Sequence, residues 1–266
     1  MPSFYVHERA ALMLTGTACA QAVALGSLGP DALYCGAGAL RELGRRLHRE
    51  RTGEFLGLLA QCCAEDAQCR DYALGFLSHY AVDAAFHPLV YALCASSGGS
   101  GPLRHLAVER ALDAWIRDMG GFARSAAPDA ELPGRAAGRL SRALGLWTGG
   151  SAPAAGELEQ AFRRCLSVGG VLGALGEVST GVRAEGGVQL SPSQIQAFAQ
   201  KGWRDPATNA LRCEGPFDLL AGALDTEERL AAAARGYWQG RITRAELEAA
   251  TGNLSYLSGV DCRRAL

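Results

Sequence analysis

Apolar residues recur every three or four positions along most of this chain, charged residues fill the opposite positions, and strand-favouring runs of Val, Ile, Thr and Tyr are scarce. That period predicts helices over about 7–25, 37–50, 53–64, 67–95, 103–119, 134–146, 155–166, 192–202, 216–222, 226–239 and 243–251. Several starts carry caps: Thr52 before Gly53, Ser191-Pro192-Ser193-Gln194, and the capping box Thr243-Arg244-Ala245-Glu246. Loops are expected at Ser96 to Pro102, Ala127-Pro128-Asp129 and Gly149 to Pro153, while the glycine-rich stretch Val168–Val188 matches no element. The fold class expected is all-α, a single multi-helix domain over 1–266. Its metal-ligand half would be about 1–119, with a helical scaffold and pocket wall over about 120–266.

One segment breaks the usual division of faces. Between Gly75 and Pro88 an otherwise apolar, core-like helix carries His79, Asp83 and His87 at successive steps of four. Steps of four return to nearly the same helix face, so the three side chains project one above another. Charge placed in an apolar setting needs a partner, and imidazole with carboxylate is a zinc ligand set. Pro88 should kink or end the helix near His87. His105-x-x-x-Glu109 repeats the pairing, and all five histidines (His7, His48, His79, His87 and His105) precede residue 110.

Composition narrows the chemistry further. With formal net charge −1 and Lys201 as the sole lysine among 266 residues, no nucleic-acid-binding surface is advertised and no stable nucleic-acid complex is expected. Arg45, Arg46, Arg49 and Arg51 gather around His48, where a solvated helix face is the ordinary reading and steering of an anionic substrate the alternative. Nine cysteines lack zinc-site or disulfide-framework spacing, which suits a reduced, cytoplasmic setting. The run Ala10–Gly26 imitates a signal-peptide core but follows Glu8-Arg9 rather than a basic leader, and is too short and polar to span a membrane. Trp147, Trp203 and Trp238 are read as packing residues before pocket walls.

Taken in order, Asp31 in a Gly-Pro-Asp turn, His48, Gly75-Phe76-Leu77-Ser78-His79-Tyr80-Ala81-Val82-Asp83, His87-Pro88 and His105-x-x-x-Glu109 resemble the bacterial zinc-dependent phospholipase C family. The opening Met1-Pro2-Ser3-Phe4-Tyr5-Val6-His7 is similar to that of its short, leaderless members. The resemblance covers roughly residues 1–110, with an echo at Asn253–Gly259. It implies an all-helical fold, shared with the related fungal single-strand nucleases, holding zinc ions in one cleft. By order, one zinc would take Asp31, His48, His79 and Asp83, and a second His87, His105 and Glu109. A third would take His7, Asp83 and the amino terminus. Secreted relatives use a freed terminal tryptophan there, which this sequence lacks, so two ions are expected and a third only if a Pro2 amine reaches.

The resemblance also implies the reaction: cleavage of a phospholipid or related phosphodiester by zinc-activated water, with Asp31 accepting or orienting the water's proton. A nuclease or small-molecule phosphodiesterase on the same metals is the alternative. A zinc-stabilised, non-catalytic binding protein is the alternative of another class, disfavoured because the His87, His105 and Glu109 group supplies three ligands rather than a closed four.

Overall fold

A computed structural model describes residues 4–96, 101–120, 135–150, 152–178 and 190–264. Its elements, in chain order, are α1 (Phe4–Leu12), α2 (Ala20–Gly26), a 3-10 helix (Gly29–Cys35), α3 (Ala39–Leu47), α4 (Thr52–Cys63), α5 (Ala67–Ser96) and α6 (Pro102–Gly120). There follow α7 (Ala136–Thr148), α8 (Ala155–Val178), α9 (Pro192–Gln200), the paired strands β1 (Trp203–Arg204) and β2 (Leu211–Arg212), α10 (Pro216–Trp238) and α11 (Arg244–Thr251). The mainly helical expectation holds, with one two-residue antiparallel hairpin added where Trp203 faces Arg212.

Helix α5 is the axis around which the others pack. Its residues from Asp71 to Asp83 are buried on every side, and α1, α2, α4, α6 and α10 all lie against it. A helix that is hydrophobic all round belongs in a core, which is why the ligand-type side chains it carries are held in place from every direction. The closest of these contacts is with α2. A Cβ on Gly26 would overlap the Tyr72 carbonyl oxygen, and one on Gly75 the Val23 carbonyl oxygen. Two glycines therefore let the backbones of α2 and α5 touch, which carries the chain after α2 directly onto the His79 side of α5.

Several boundaries depart from the periodic pattern for identifiable reasons. The predicted 7–25 helix is two, because the chain turns at Gly16 with φ +68°. The backbone N–H groups of Ala18 and Cys19 then donate to Asp71 Oδ2 (2.9 and 2.7 Å), a long-range carboxylate cap. Thr52 does not cap α4: Arg51 occupies that place with φ 43°, and the Thr52 hydroxyl donates to the Leu254 carbonyl at 2.9 Å. The capping boxes at Ser191 and Thr243 form as predicted. The 216–222 and 226–239 segments are one helix, and α8 runs on to Val178 through part of the glycine-rich stretch. The loop predicted at Ala127–Asp129, the 179–189 part of that stretch and residues 97–100 lie outside the described residues.

Pro88 does not end α5. The helix continues to Ser96, although a proline leaves the carbonyl four residues earlier without its intrahelical donor. That carbonyl, on Ala84, faces Gly259, where a Cβ would sit only 2.5 Å away and where φ is +64°. The chain after α11 thus returns across α5 at the place the proline opens. It is fastened by Tyr80, whose hydroxyl donates to the Thr251 carbonyl and accepts from Leu254 N–H, both at 3.0 Å.

On the α10 side, Ser78 Oγ donates to Glu227 Oε2 at 2.5 Å in a buried contact. Burial pushes the Glu227 carboxyl up to about 8, the Ser78 hydrogen bond opposes this, and the Glu228 charge adds to it. The unfolded chain releases this proton near 4.5 and the fold keeps it to about 8, so stability falls with pH across that window and levels off above it. Glu227→Gln is expected to match the parent near pH 4 and to exceed it above about pH 8, by up to about 5 kcal/mol, in urea unfolding. The glycine contact gives a second expectation: Gly75→Ala lowers unfolding free energy by about 1–3 kcal/mol or more. Gly138→Ala, on an exposed face of α7 with nothing within 4 Å of the added carbon, raises it by about 0.5–1 kcal/mol.

Candidate metal centre

The face of α5 read from the sequence is the floor of the site. His79 and His87 lie four residues either side of Asp83, with His79 Nε2 at 3.0 Å from Asp83 Oδ2 and His87 Nδ1 at 3.4 Å from Asp83 Oδ1. Around this ladder the fold brings three further elements. Asp31 arrives on the 3-10 helix, its Oδ2 3.4 Å from His79 Nε2. His48 arrives at the end of α3, its Nε2 3.0 Å from Asp31 Oδ1 and 3.8 Å from Asp83 Oδ2. His7 arrives on α1, its Nε2 3.1 Å from Asp83 Oδ1 and its ring stacked on His79 at 4.2 Å.

The second group is adjacent. His105 and Glu109 stand one turn apart on α6, with Nε2 2.9 Å from Oε1, and His87 Nε2 reaches the same oxygen at 3.4 Å. The His87 and His105 rings stack at 5.2 Å. All eight residues singled out in the sequence therefore meet, in two neighbouring sets joined through Asp83 and His87. Candidate ligand atoms of His7, Asp31, His79 and Asp83 lie within 4.8 Å of one another, as do those of His87, His105 and Glu109. His48 joins the first set through both its carboxylates. The amino-terminal residues 1–3 lie outside the described residues, and with them any ligand they supply.

Backbone carbonyls decide which nitrogen each imidazole presents. The Nδ1 of His79 lies 2.8 Å from the Ser27 carbonyl, that of His48 2.6 Å from Gly44, and that of His87 2.9 Å from Tyr256. A carbonyl only accepts, so each Nδ1 carries hydrogen and each Nε2 is turned toward the carboxylates. This is the supporting shell that orients histidine ligands. Gly29 completes it: with φ +51°, it has no Cβ to meet the His79 ring, which would lie 2.5 Å from one.

The charges demand compensation. His7, Asp31, His48, His79, Asp83, His87 and Glu109 are buried. Burial pushes Asp83 up, but the imidazoles of His87, His79 and His7 outweigh it and hold the carboxyl well below its usual range. Glu109, also opposed by burial, is held at about 2 through hydrogen bonds from His105 and His87. Burial lowers His7 and His87, yet Asp83 leaves both raised, and His105 rises to about 9 against burial through Cys94 and Glu109. A divalent cation fits this arrangement by the same attraction. His79 Nε2, Asp31 Oδ2, Asp83 Oδ2, Glu109 Oε2 and His7 Nδ1 are buried without hydrogen-bond partners, so the donor set is one that cations complete.

Three tyrosines belong to the site that were not singled out in the sequence. The Tyr34 hydroxyl lies 3.3 Å from His48 Nδ1. Tyr91 packs its ring against His105 at 5.1 Å and His87 at 5.9 Å. Tyr256 touches His48 and His79 at 5.3 and 5.8 Å, and its N–H donates to the His48 carbonyl at 2.9 Å. The signals were available: Tyr91 is four residues beyond His87 on α5, Tyr34 one 3-10 turn beyond Asp31, and Tyr256 within the Asn253–Gly259 stretch. The tryptophans are packing residues. Trp147, Trp203 and Trp238 donate their indole N–H to the carbonyls of Arg51, Glu214 and Ala60.

All nine cysteines are free thiols, and no helix of the described residues is long and apolar enough to cross a membrane. No curated protein and no solved structure matches the chain. The sequence profile described as zinc-dependent phospholipase C matches residues 7–147, from the histidine on α1 to the tryptophan on α7, and so spans all eight histidines and carboxylates of the two sets, though not Tyr256. With that match over more than half of its length, the chain belongs to the zinc-dependent phospholipase C family, whose members are phosphodiester hydrolases.

Proposed function

We propose that this protein cleaves a phospholipid or a related phosphodiester in the manner of a phospholipase C, leaving a diacylglycerol and a phosphorylated head group. The observation that carries the reading is the set of three carbonyl-locked histidines whose Nε2 atoms face carboxylates, each of which keeps a buried oxygen without a hydrogen-bond partner. Asp31, His48, His79 and Asp83 would hold one ion and His87, His105 and Glu109 a second. His7 stands beside Asp83 for a third.

Bound zinc supplies acidified water and positive charge for the phosphoryl and leaving oxygens. The chain's own groups do the remainder. Asp31 is tied to His48 through Oδ1, while its buried Oδ2 has no hydrogen-bond partner, so Oδ2 accepts the proton of the attacking water. Water's oxygen adds to phosphorus in line with the departing ester oxygen. The phosphorus–oxygen ester bond breaks, and the departing alkoxide takes up a proton from solvent water, the proton on Asp31 returning to solvent afterwards. The apolar wall of Val6, Val82, Phe86, Val90 and Leu112 beside His7, Asp83, His87 and Glu109 keeps the surroundings dry, which strengthens each charge interaction.

A nuclease is the second reading, favoured by one observation: Tyr91 is partly exposed beside His87 and His105, where a base could stack. Single-stranded DNA and a short-chain phosphatidylcholine separate the two, since each reading expects only one to be turned over well.

Chelation is expected to abolish hydrolysis of bis(p-nitrophenyl) phosphate, and zinc to restore it; activity that survives chelation contradicts the reading. Asp31→Asn is expected to lower kcat by roughly 10²–10⁴-fold, measured in zinc-loaded protein. Glu109→Ala should lose bound zinc and turnover while keeping its helical circular dichroism. Collapse of the fold in that variant would instead support a structural role for the metal.

A further inference from the structure

After α11 the chain closes on itself as a short loop. Leu254 pairs with Asp261 across an antiparallel bridge. Cys262 N–H donates to the Asn253 carbonyl at 2.7 Å, and Ser255 N–H to the Val260 carbonyl at 2.8 Å. The loop is fastened to the body at two places: the Thr52 hydroxyl donates to the Leu254 carbonyl at 2.9 Å, and Gly259 lies against the Ala84 carbonyl of α5. Backbone tied in this way, over buried contacts, holds its residues in one arrangement. Tyr256 is the residue the loop buries completely.

Tyr256 meets both ligand sets. Toward the first, its N–H donates to the His48 carbonyl at 2.9 Å, where the Ser255 hydroxyl also donates at 3.2 Å. Its ring lies 5.3 Å from the His48 ring and 5.8 Å from that of His79. Toward the second, its carbonyl accepts the Nδ1 hydrogen of His87 at 2.9 Å. The ring packs on Tyr80 as well, at 5.0 Å, yet its hydroxyl is buried without a hydrogen-bond partner. The side chain therefore contributes packing, and that packing seats the two backbone groups, one serving each set.

We infer that Tyr256 is a positioning residue for both sets at once: its packed ring fixes the backbone that holds His48 in one and His87 in the other, so the cation affinities of the two sets rise and fall together. The inference rests on the hydrolytic reading above for zinc as the cation. A partner that orients a histidine ligand is worth about 10–100-fold in metal affinity. One residue doing so on both sides makes a single packing defect felt by both ions. A ring that only filled the core would cost stability on removal and leave zinc affinity where it was.

The test is zinc titration of the full chain in competition with a chromophoric chelator. Tyr256→Ala, with its helical circular dichroism retained, is expected to bind each of two ions about tenfold more weakly or worse. Tyr256→Phe, which keeps the ring and drops the partnerless hydroxyl, should bind both as the parent does, and so should Leu257→Ala, the next residue of the loop. The inference is overturned if Tyr256→Ala weakens one ion or neither, if Tyr256→Phe weakens them as the alanine does, or if the parent binds fewer than two ions. Should Tyr256→Ala not fold, hydrogen exchange of the parent decides: zinc is expected to slow exchange across residues 253–262, and unchanged exchange there overturns the inference. Zinc binding that depends on Tyr256 in a protein turning over no phosphodiester would keep the positioning role and remove the hydrolytic one. Zinc-dependent turnover with unaltered zinc affinity in Tyr256→Ala would do the reverse.

Discussion

Three hydrogen bonds from imidazole Nδ1–H to backbone carbonyls set the chemistry of this protein. Ser27, Gly44 and Tyr256 supply the carbonyls, from the end of α2, the body of α3 and the segment after α11. Each bond fixes a tautomer and a ring orientation, so basic nitrogens face carboxylate oxygens instead of solvent. The fold can be read as the means of bringing those carbonyls to those rings. Gly26 and Gly75 let α2 touch α5, which seats Ser27 against His79. Gly259 lets the returning chain cross α5 at Pro88, which seats Tyr256 against His87.

The same arrangement explains why so much charge tolerates burial. Three carboxylates sit in the interior with five imidazoles about them. Without cations the carboxylates help draw protons onto His7, His87 and His105, three residues of the candidate metal clusters. A proton and a cation held by these clusters would compete for one set of lone pairs. Several polar atoms nevertheless stay unsatisfied, which is costly in a finished core and natural in a site built for ions.

Much of this was legible in the sequence, and particular residues show where legibility stopped. The steps of four from His79 through Asp83 to His87 put three ligand types on one face whatever the rest of the chain does, and His105 with Glu109 follows the same rule. His48 and His7 could be placed only through the family resemblance, because nothing in their local spacing says which carboxylate they meet. Boundaries failed where a distant group decided them: Asp71 caps α2 from fifty residues away, and Gly259 accommodates the carbonyl freed by Pro88. Tyr34 and Tyr91 lay on readable periods, yet tyrosines at helical spacing are usually packing residues, and only the assembled site distinguishes these two.

The most direct measurement is an anomalous-difference map, at the zinc edge, of crystals grown with zinc. The account predicts strong peaks bounded by Asp31, His48, His79 and Asp83 and by His87, His105 and Glu109, with each Nδ1 still on its backbone carbonyl. Peaks confined to cysteine thiols or the surface, with both histidine–carboxylate sets empty, would contradict it.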